Sequence, residues 1–141
     1  LGILTGIGTD GYTNDMIESY KVGNILHKHN NCDPTVAWGE IPQMLFENNV
    51  KIGARYFKTP LGVLKPGAAA DVIVMEYNPY TPMDGSNINS HILFGMNGRN
   101  TVTTIINGKV LMKDRVMVVD EERLIARVHE QAADMWRRIN A

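Results

Sequence analysis

The sequence GIGTDG at residues 6–11 follows a short apolar run and precedes a segment with helical spacing. Its three glycines satisfy G-x-G-x-x-G, the pattern of a loop that binds the phosphates of a dinucleotide. Asp10 lies inside this loop, where its carboxylate would repel a pyrophosphate. The segment is therefore either a phosphate-binding loop or a strand that delivers a carboxylate.

A dinucleotide site requires more than the glycine spacing. It needs a βαβ unit whose second strand ends about 20 residues later in an acidic residue that holds the ribose. Residues 27–32, HKHNNC, occupy that place, and no apolar strand precedes Asp33. Nucleotide binding is therefore the weakest of the functional hypotheses that this segment raises.

The alternative is that residues 2–9 form a barrel-type strand, with Asp10 at its end. In (β/α)8 enzymes the catalytic groups lie at the carboxyl ends of the strands, and Gly11 would let the chain turn there. Aspartate also commonly caps a following helix or accepts hydrogen bonds from turn amides. The local sequence leaves the functional and the structural interpretation of Asp10 equally open.

Composition limits the class of protein. The chain has 141 residues, of which 44% are hydrophobic, enough for one domain or part of one. Fourteen basic and fifteen acidic residues give a net charge of −1, so neither a nucleic acid nor an anionic membrane is an expected partner. No apolar run approaches the ~18 residues of a membrane span, and Cys32 is the only cysteine. We expect a soluble cytoplasmic protein, with further residues upstream of Leu1.

Helices are predicted in the first part of the chain. Asp15, followed three residues later by Glu18, precedes a helix over about 14–28. Asp33-Pro34 is typical of a cap and first position, and predicts a second helix. Pro42 is expected to interrupt that helix and to start another that runs to about residue 57.

Strands are predicted after residue 60. The branched run Val72–Val74 is typical of a strand buried on both faces, and a loop is expected over residues 78–90. Asn107-Gly108 joins two strand-like runs and is a strong hairpin signal. A third run covers 116–119, and Asp120 is expected to cap an amphipathic helix that continues to the C-terminus.

Other candidate functional residues are weaker. His27 and His29 form a His-x-His pair, but on a helix two such positions lie about 200° apart. With Cys32 they give three ligands, whereas structural zinc needs four, so we favour a solvated helix end. His91 and His129 are isolated histidines to which we assign no role.

Asn48-Asn49 inside a predicted helix is unusual, because asparagine competes for backbone hydrogen bonds. The pair marks either a contact between the helix and a loop or plain surface exposure. The sequence alone leaves both interpretations open.

Taken in order, several segments resemble the C-terminal third of the amidohydrolase superfamily. They are GIGTDG, then NNVKIGARYF (48–57), LGVLKPGAAADVIVMEY (61–77) and VTTIINGKVLMKDR (102–115). The likeness is greatest to the chlorohydrolase, cytosine-deaminase-like and guanine-deaminase-like group, and particularly to aminohydrolases linked to selenium metabolism. The most specific element is L-K-P-G-x-x-A-D-V-I-V, and the element that carries chemistry is G-x-G-T-D.

The resemblance implies an α/β fold: the C-terminal part of a distorted (β/α)8 TIM-like barrel together with part of a composite β-sandwich built from both chain ends. Residues 1–60 would be the last barrel strand and the following helices. Residues 61–119 would belong to the sandwich, and residues 120–141 would form a helix that packs back on the barrel.

The resemblance also implies a role for Asp10. In the family, the aspartate that ends the eighth strand binds the catalytic divalent metal and takes a proton from the metal-bound water, and Asp10 matches it. Zinc is the expected metal, with iron and manganese as alternatives. The family's histidines on the first, fifth and sixth strands have no counterpart in this sequence.

The function implied is hydrolysis of a non-peptide carbon–nitrogen bond, by deamination of a small heterocyclic or amidine-like substrate. We expect the 141-residue chain alone to be inactive, since one ligand does not hold a metal, and to self-associate through faces that a complete barrel would cover. The alternative is a non-catalytic, β-rich scaffold or interaction module that lacks the metal site.

Overall fold

The computed structural model describes residues 2–141, in which helices precede a small sheet, a further helix is inserted after its first strand, and one long helix follows it. The elements in chain order are α1 (Met16–Asn31), α2 (Glu40–Pro42), a π-helical segment (Gln43–Asn48), α3 (Asn49–Gly53), β1 (Val72–Met75), α4 (Ile88–Gly95), a 3₁₀ turn (Gly98–Asn100), β2 (Thr101–Ile106), β3 (Lys109–Lys113), β4 (Val116–Met117) and α5 (Glu121–Ile139).

Helix α1 confirms the first helix prediction. The Oδ1 atom of its N-cap, Asp15, accepts a hydrogen bond from the amide of Ile17 at 2.9 Å. Glu18 does not complete a capping box with Asp15 but accepts from the hydroxyl of Thr13. The helix ends at Cys32, which adopts the left-handed conformation, so that His27 and His29 lie in the last turns as expected.

The helix predicted from Asp33-Pro34 is not formed. Residues 33–39 are turns and bends, and Asp33 Oδ1 accepts from the amide and the hydroxyl of Thr35 at 2.8 and 2.7 Å. This local turn competes with helix formation. Ala37, at φ 71°, also lies outside the helical region of the backbone.

Pro42 does not interrupt a helix. The helical run begins at Glu40, so Pro42 stands in its first turn, where an amide hydrogen would have no partner. The run continues without a break through the π-helical segment into α3 and ends at Gly53, earlier than the predicted residue 57.

The strand predicted for residues 2–9 is not formed, and no described strand pairs with this segment. Its backbone is hydrogen-bonded instead to two side-chain amides, those of Asn48 and Asn49. A parallel barrel strand requires neighbours that supply a ladder of backbone hydrogen bonds. The prediction of an α/β fold is thus met in so far as the described residues contain both helices and a sheet. The TIM-like barrel is not confirmed.

The sheet is antiparallel throughout, with the order β1-β2-β3-β4. As predicted, β2 and β3 form a hairpin through Asn107 and Gly108, whose φ angles of 49° and 77° suit a two-residue turn. Asp71 Oδ1 accepts from the amide of Asn107 at 2.6 Å, which ties the start of β1 to this turn. The dinucleotide interpretation requires a βαβ unit, whereas the sheet of the described residues contains antiparallel pairs alone.

Strand β1 is not buried on both faces as predicted. Ile73 and Val74, whose side chains point to opposite faces, are 56% and 47% exposed, so neither face is fully covered. Among the described residues β1 is also an edge strand, paired with β2 alone. Helix α5 begins at its predicted cap, where Asp120 Oδ1 accepts from the amide of Arg123 at 3.0 Å. Its apolar stripe, however, faces solvent, and none of its residues is buried.

Helix α4 lies where a loop was predicted up to residue 90. It contributes Leu93 to a small core with Tyr20, Ala37 and Ile41, against which Ile7 packs. The core therefore lies between α1, α2, α4 and the turns of residues 33–39.

The chain exposes far more surface than a folded monomer of its size. Its accessible area is 10942 Å², whereas a compact protein of 15.7 kDa exposes about 7300 Å². The excess includes large apolar side chains such as Trp136, Leu64 and Phe94, which are 57%, 86% and 71% exposed. Extended exposed apolar surface of this kind is typical of interaction faces.

We expect Gly108→Ala to lower the free energy of unfolding by about 1–2 kcal/mol, because the hairpin requires a positive φ that disfavours a Cβ. Urea denaturation measures this. Gly85→Ala is the matched control: this exposed turn glycine has no atom within 4 Å of an added Cβ and no positive φ. Equal losses from the two variants would show that the backbone angle is not the cause.

Candidate functional site

Asp10 begins the turn that follows the opening segment. Its φ is 48°, and its Oδ1 atom accepts a hydrogen bond from the amide of Gly11 at 2.6 Å. The amide of Tyr12 donates to the carbonyl oxygen of Thr9 at 3.3 Å and closes the turn. The side chain of Asp10 is exposed, and no described residue donates a hydrogen bond to Oδ2.

This geometry distinguishes the two structural interpretations of Asp10, as a helix cap and as an acceptor for turn amides. It accepts from one turn amide, but it does not cap α1, because Asp15 is the cap. One carboxylate oxygen is thus used within the turn, and the other, Oδ2, receives no hydrogen bond from residues 2–141, so its lone pairs can bind a metal ion or a proton. A functional role for Asp10 remains compatible with this arrangement.

The opening segment is fixed a few residues before Asp10. The amide of Ile7 donates to Asn49 Oδ1 at 3.1 Å, and Asn49 Nδ2 donates to the carbonyl oxygen of Ile7 at 2.8 Å. Asn48 Nδ2 donates to the carbonyl oxygen of Thr5, also at 2.8 Å. The unusual asparagine pair thus marks a contact between the helix and the opening segment, one of the two interpretations that the sequence left open.

A metal site is not complete within the described residues. They contain no group of three or more histidine, cysteine, aspartate or glutamate side chains that could hold an ion. His27 and His29 are exposed at the end of α1, and Cys32 is an exposed free thiol. The carboxylate of Asp10 suits a divalent ion as one oxygen ligand. The other ligands would have to come from outside this part of the chain.

A cleft of about 650 Å³ separates the start of α1 from the sheet. Asp15 Oδ2 crosses it and accepts from the amide of Gly98 at 2.7 Å. A Cβ on Gly98 would lie 2.9 Å from this carboxylate, so a larger residue would force the side chain of Asp15 to shift. Asp15 therefore joins the start of α1 to the 3₁₀ turn that precedes β2.

A second polar pair was missed from the sequence. Tyr77 Oη lies 2.9 Å from His91 Nδ1, beside an open cleft of about 490 Å³. A Cβ on Gly95 would overlap the phenol of Tyr77, so the glycine admits this ring. His91 looked isolated because its partner is fourteen residues away and because α4, which carries it, was not predicted.

Three exposed carboxyl groups have lowered pKa values, and all lie away from Asp10. Hydrogen bonds from the hydroxyl and amide of Thr35 lower the pKa of Asp33, and those of Ser86 lower the pKa of Asp84. The backbone amide of Glu40 lowers the pKa of its own carboxyl. These shifts belong to turns and to a helix start, and they identify no catalytic group.

These shifts predict a pH dependence of stability. A carboxyl whose pKa is lower in the folded state stabilises the fold above its unfolded pKa of about 3.9. That contribution is lost as pH falls through the lower folded value. We expect a double variant, Asp33→Asn with Asp84→Asn, to lose less unfolding free energy than the wild type between about pH 5 and pH 2. Urea denaturation at several pH values measures this, and parallel curves for the two proteins would contradict it.

Among residues 2–141, no helix combines the length and the hydropathy that a bilayer crossing requires.

Comparison with known proteins gives a consistent family. The model described as the amidohydrolase family matches residues 2–111. A 5′-deoxyadenosine deaminase of Methanosarcina mazei is 33% identical over 99% of this chain and 33% of its own length. Two proteins named 5-methylthioadenosine/S-adenosylhomocysteine deaminase are each 37% identical. The match to the protein of Thermococcus onnurineus covers 81% of this chain and 27% of the relative. The match to the protein of Halothermothrix orenii covers 93% of this chain and 31% of the relative. The chain thus spans about a third of the length of these relatives.

Proposed function

The chain belongs to the amidohydrolase family, and from that premise we propose that it is the C-terminal part of a metal-dependent hydrolase that deaminates a small heterocyclic substrate. The family match over residues 2–111 is the observation that carries the proposal. The relatives bear names of deaminases of adenosine derivatives altered at the 5′ position. A 5′-substituted adenosine is therefore the first substrate to test.

Asp10 is the residue to which we assign the chemistry. It would contribute one oxygen ligand to a divalent ion, zinc in the first instance and iron or manganese as alternatives. Such an ion, when bound, lowers the pKa of a coordinated water towards about 7. The Oδ2 atom of Asp10, which no described residue engages, would accept a proton from the attacking water and return it to the leaving amine.

The exposed faces support the same proposal. Residues 1–60 would form the last barrel strand and its helices, with neighbouring strands pairing with those backbone groups of the opening segment that Asn48 and Asn49 do not bind. Residues 61–119 would belong to the composite sandwich, and residues 120–141 would pack their apolar stripe on the barrel. The apolar side chains that the chain leaves uncovered are the surface that such packing needs. Self-association and a cytoplasmic location remain predictions.

A non-catalytic scaffold is the second candidate. It is favoured by one observation, that the described residues hold no complete metal-binding group. The two candidates predict different results when an N-terminal portion of barrel length is added. The hydrolase would gain metal-dependent activity, whereas the scaffold would stay inactive.

The test compares the 141-residue chain with a complete enzyme that carries it behind the missing barrel strands. Ammonia release from 5′-deoxyadenosine with added Zn²⁺ is the measurement. We expect turnover by the complete enzyme and none by the chain alone. Metal-dependent deamination by the 141-residue chain would contradict the proposal that the remaining metal ligands lie outside it. Inactivity of the complete enzyme towards all adenosine-type and other heterocyclic amines would favour the scaffold.

A further inference from the structure

We propose that Asn49, assisted by Asn48, is a positioning residue that sets the place of Asp10; the inference rests on the proposed metal role of Asp10. The side-chain amide of Asn49 both accepts from the amide and donates to the carbonyl of Ile7, at 3.1 and 2.8 Å. This is the double hydrogen bond that one residue of a neighbouring strand makes in an antiparallel pair. Asn49 thus acts as a strand partner for a segment that lacks one among the described residues.

The contact between Asn49 and the opening segment depends on residues of both partners. A Cβ on Gly6 would overlap Asn49 Oδ1 and would lie 3.0 Å from the terminal methyl of Ile52, so the amide occupies space that only glycine leaves. Asn48 adds one bond to the carbonyl oxygen of Thr5 at 2.8 Å. Thr5 and Ile7 are two residues apart, so the two consecutive asparagine side chains bind the opening segment at alternate residues.

The helix is locally irregular where these side chains arise. Asn48 ends the π-helical segment and Asn49 begins α3. Short π-helical turns are rare and occur frequently at functional sites. The irregularity coincides with two consecutive side chains that reach the same segment, which neighbouring positions of a regular helix do not favour.

The hydrogen bonds from Asn49 to Ile7 affect the position of Asp10 because only a short stretch of chain separates Ile7 from Asp10. Ile7 is half-buried against the core that contains Ile41, and Asp10 follows three residues later. On the far side of Asp10, Thr13 is tied to the start of α1, because its hydroxyl donates to Glu18 and accepts from the amide of Asp15. Between Ile7 and Thr13 the described hydrogen bonds are those of the exposed turn at Asp10 itself. Loosening Ile7 would therefore move the carboxylate of Asp10.

The experiment uses the complete enzyme and two asparagine variants. Asn49→Ala removes the double bond to Ile7. Asn24→Ala is the matched control, because Asn24 is buried and its amide donates to the carbonyl oxygen of Ala37 at 3.1 Å, a hydrogen bond in which the opening segment takes no part. The dissociation constant for Zn²⁺, by competition with a chelator, is measured beside Tm for each protein.

We expect Asn49→Ala to weaken Zn²⁺ binding by about 10- to 100-fold, as the loss of a residue that orients a ligand does. Asn24→Ala should lower Tm but leave the dissociation constant unchanged. Gly6→Ala, which attacks the same contact from the other side, should reproduce the loss of affinity. Unchanged affinity in both Asn49→Ala and Gly6→Ala would overturn the proposal and leave Asn49 a structural residue.

A replacement variant, an exchange measurement and the Asp10→Asn variant complete the test. If Asn49→Ala fails to fold, Asn49→Asp is used, because it keeps an acceptor for the amide of Ile7 and removes the donor to its carbonyl oxygen. Amide hydrogen exchange at Ile7 in the 141-residue chain should accelerate in Asn49→Ala, which removes the acceptor of this amide, and in neither Asn49→Asp nor Asn24→Ala. If Asp10→Asn itself leaves Zn²⁺ affinity unchanged, the proposed function fails. If Asp10→Asn alone weakens it, the positioning role alone fails.

Discussion

Asp10→Asn in the complete enzyme should lower kcat by about 10²- to 10⁴-fold, with a smaller change in KM. The amide keeps the size of the side chain and an oxygen for the amide of Gly11, so the turn should persist. It removes the negative charge and cannot accept a proton at the position of Oδ2. Steady-state kinetics of ammonia release measure both constants.

Asp114→Asn is the matched control for this variant. Asp114 is also exposed and also occupies a turn with a positive φ, of 51° against 48° for Asp10, but it lies on the hairpin between β3 and β4. The control should retain wild-type kcat. Wild-type turnover by Asp10→Asn would remove the assigned role, and an equal loss in both variants would point to turn strain rather than chemistry.

Tyr20→Ala should destabilise the chain by about 3–5 kcal/mol. Tyr20 is 2% exposed, and its ring lies at the centre of the small core, 6.0 Å from the ring of Phe46. Whole domains are stable by about 5–15 kcal/mol, so this loss would remove a large part of the stability of a chain whose core is this small. Thermal and urea denaturation measure the change.

Two variants test the cause of that loss. Tyr20→Phe keeps the ring and removes only a long hydrogen bond, 3.4 Å from Tyr20 Oη to the carbonyl oxygen of Asn89, so it should cost about 1 kcal/mol or less. Tyr56→Ala removes a ring that is 79% exposed and should change stability by about 0.5 kcal/mol or less. A small effect of Tyr20→Ala would show that the core lies elsewhere.

The elements that the sequence predicted correctly are those specified by local interactions. The α1 and α5 caps are aspartates that accept from amides within three residues, and the Asn107-Gly108 turn depends on two backbone angles. Such signals act within a few residues and do not depend on distant neighbours.

The predictions that failed depended on distant partners. Residues 2–9 have an alternating pattern, but a strand exists only when another strand pairs with it. The burial of β1 likewise needs elements on both faces, and the described residues supply a partner along one edge. Helix α4 was hidden because Asn87 and its neighbours are typical of loops, and its burial against α1 outweighs that local preference.

The candidate site was predictable only in part. Asp10 was singled out by its place in GIGTDG, and the asparagine pair by its unusual position in a helix. The bonds from Asn49 to Ile7 span 42 residues, and no spacing rule predicts a contact over that distance. The same holds for the bond between Asp15 and Gly98, which are 83 residues apart.

The metal content of the complete enzyme tests the central claim, that Asp10 is a ligand of a catalytic divalent ion. Wild type and Asp10→Asn are purified in parallel, exposed to a chelator at a concentration that the wild type withstands, and analysed for zinc, iron and manganese by mass spectrometry. We expect the wild type to retain a divalent ion and the variant, equally folded by circular dichroism, to lose most of it. Equal retention by the two proteins would contradict the account.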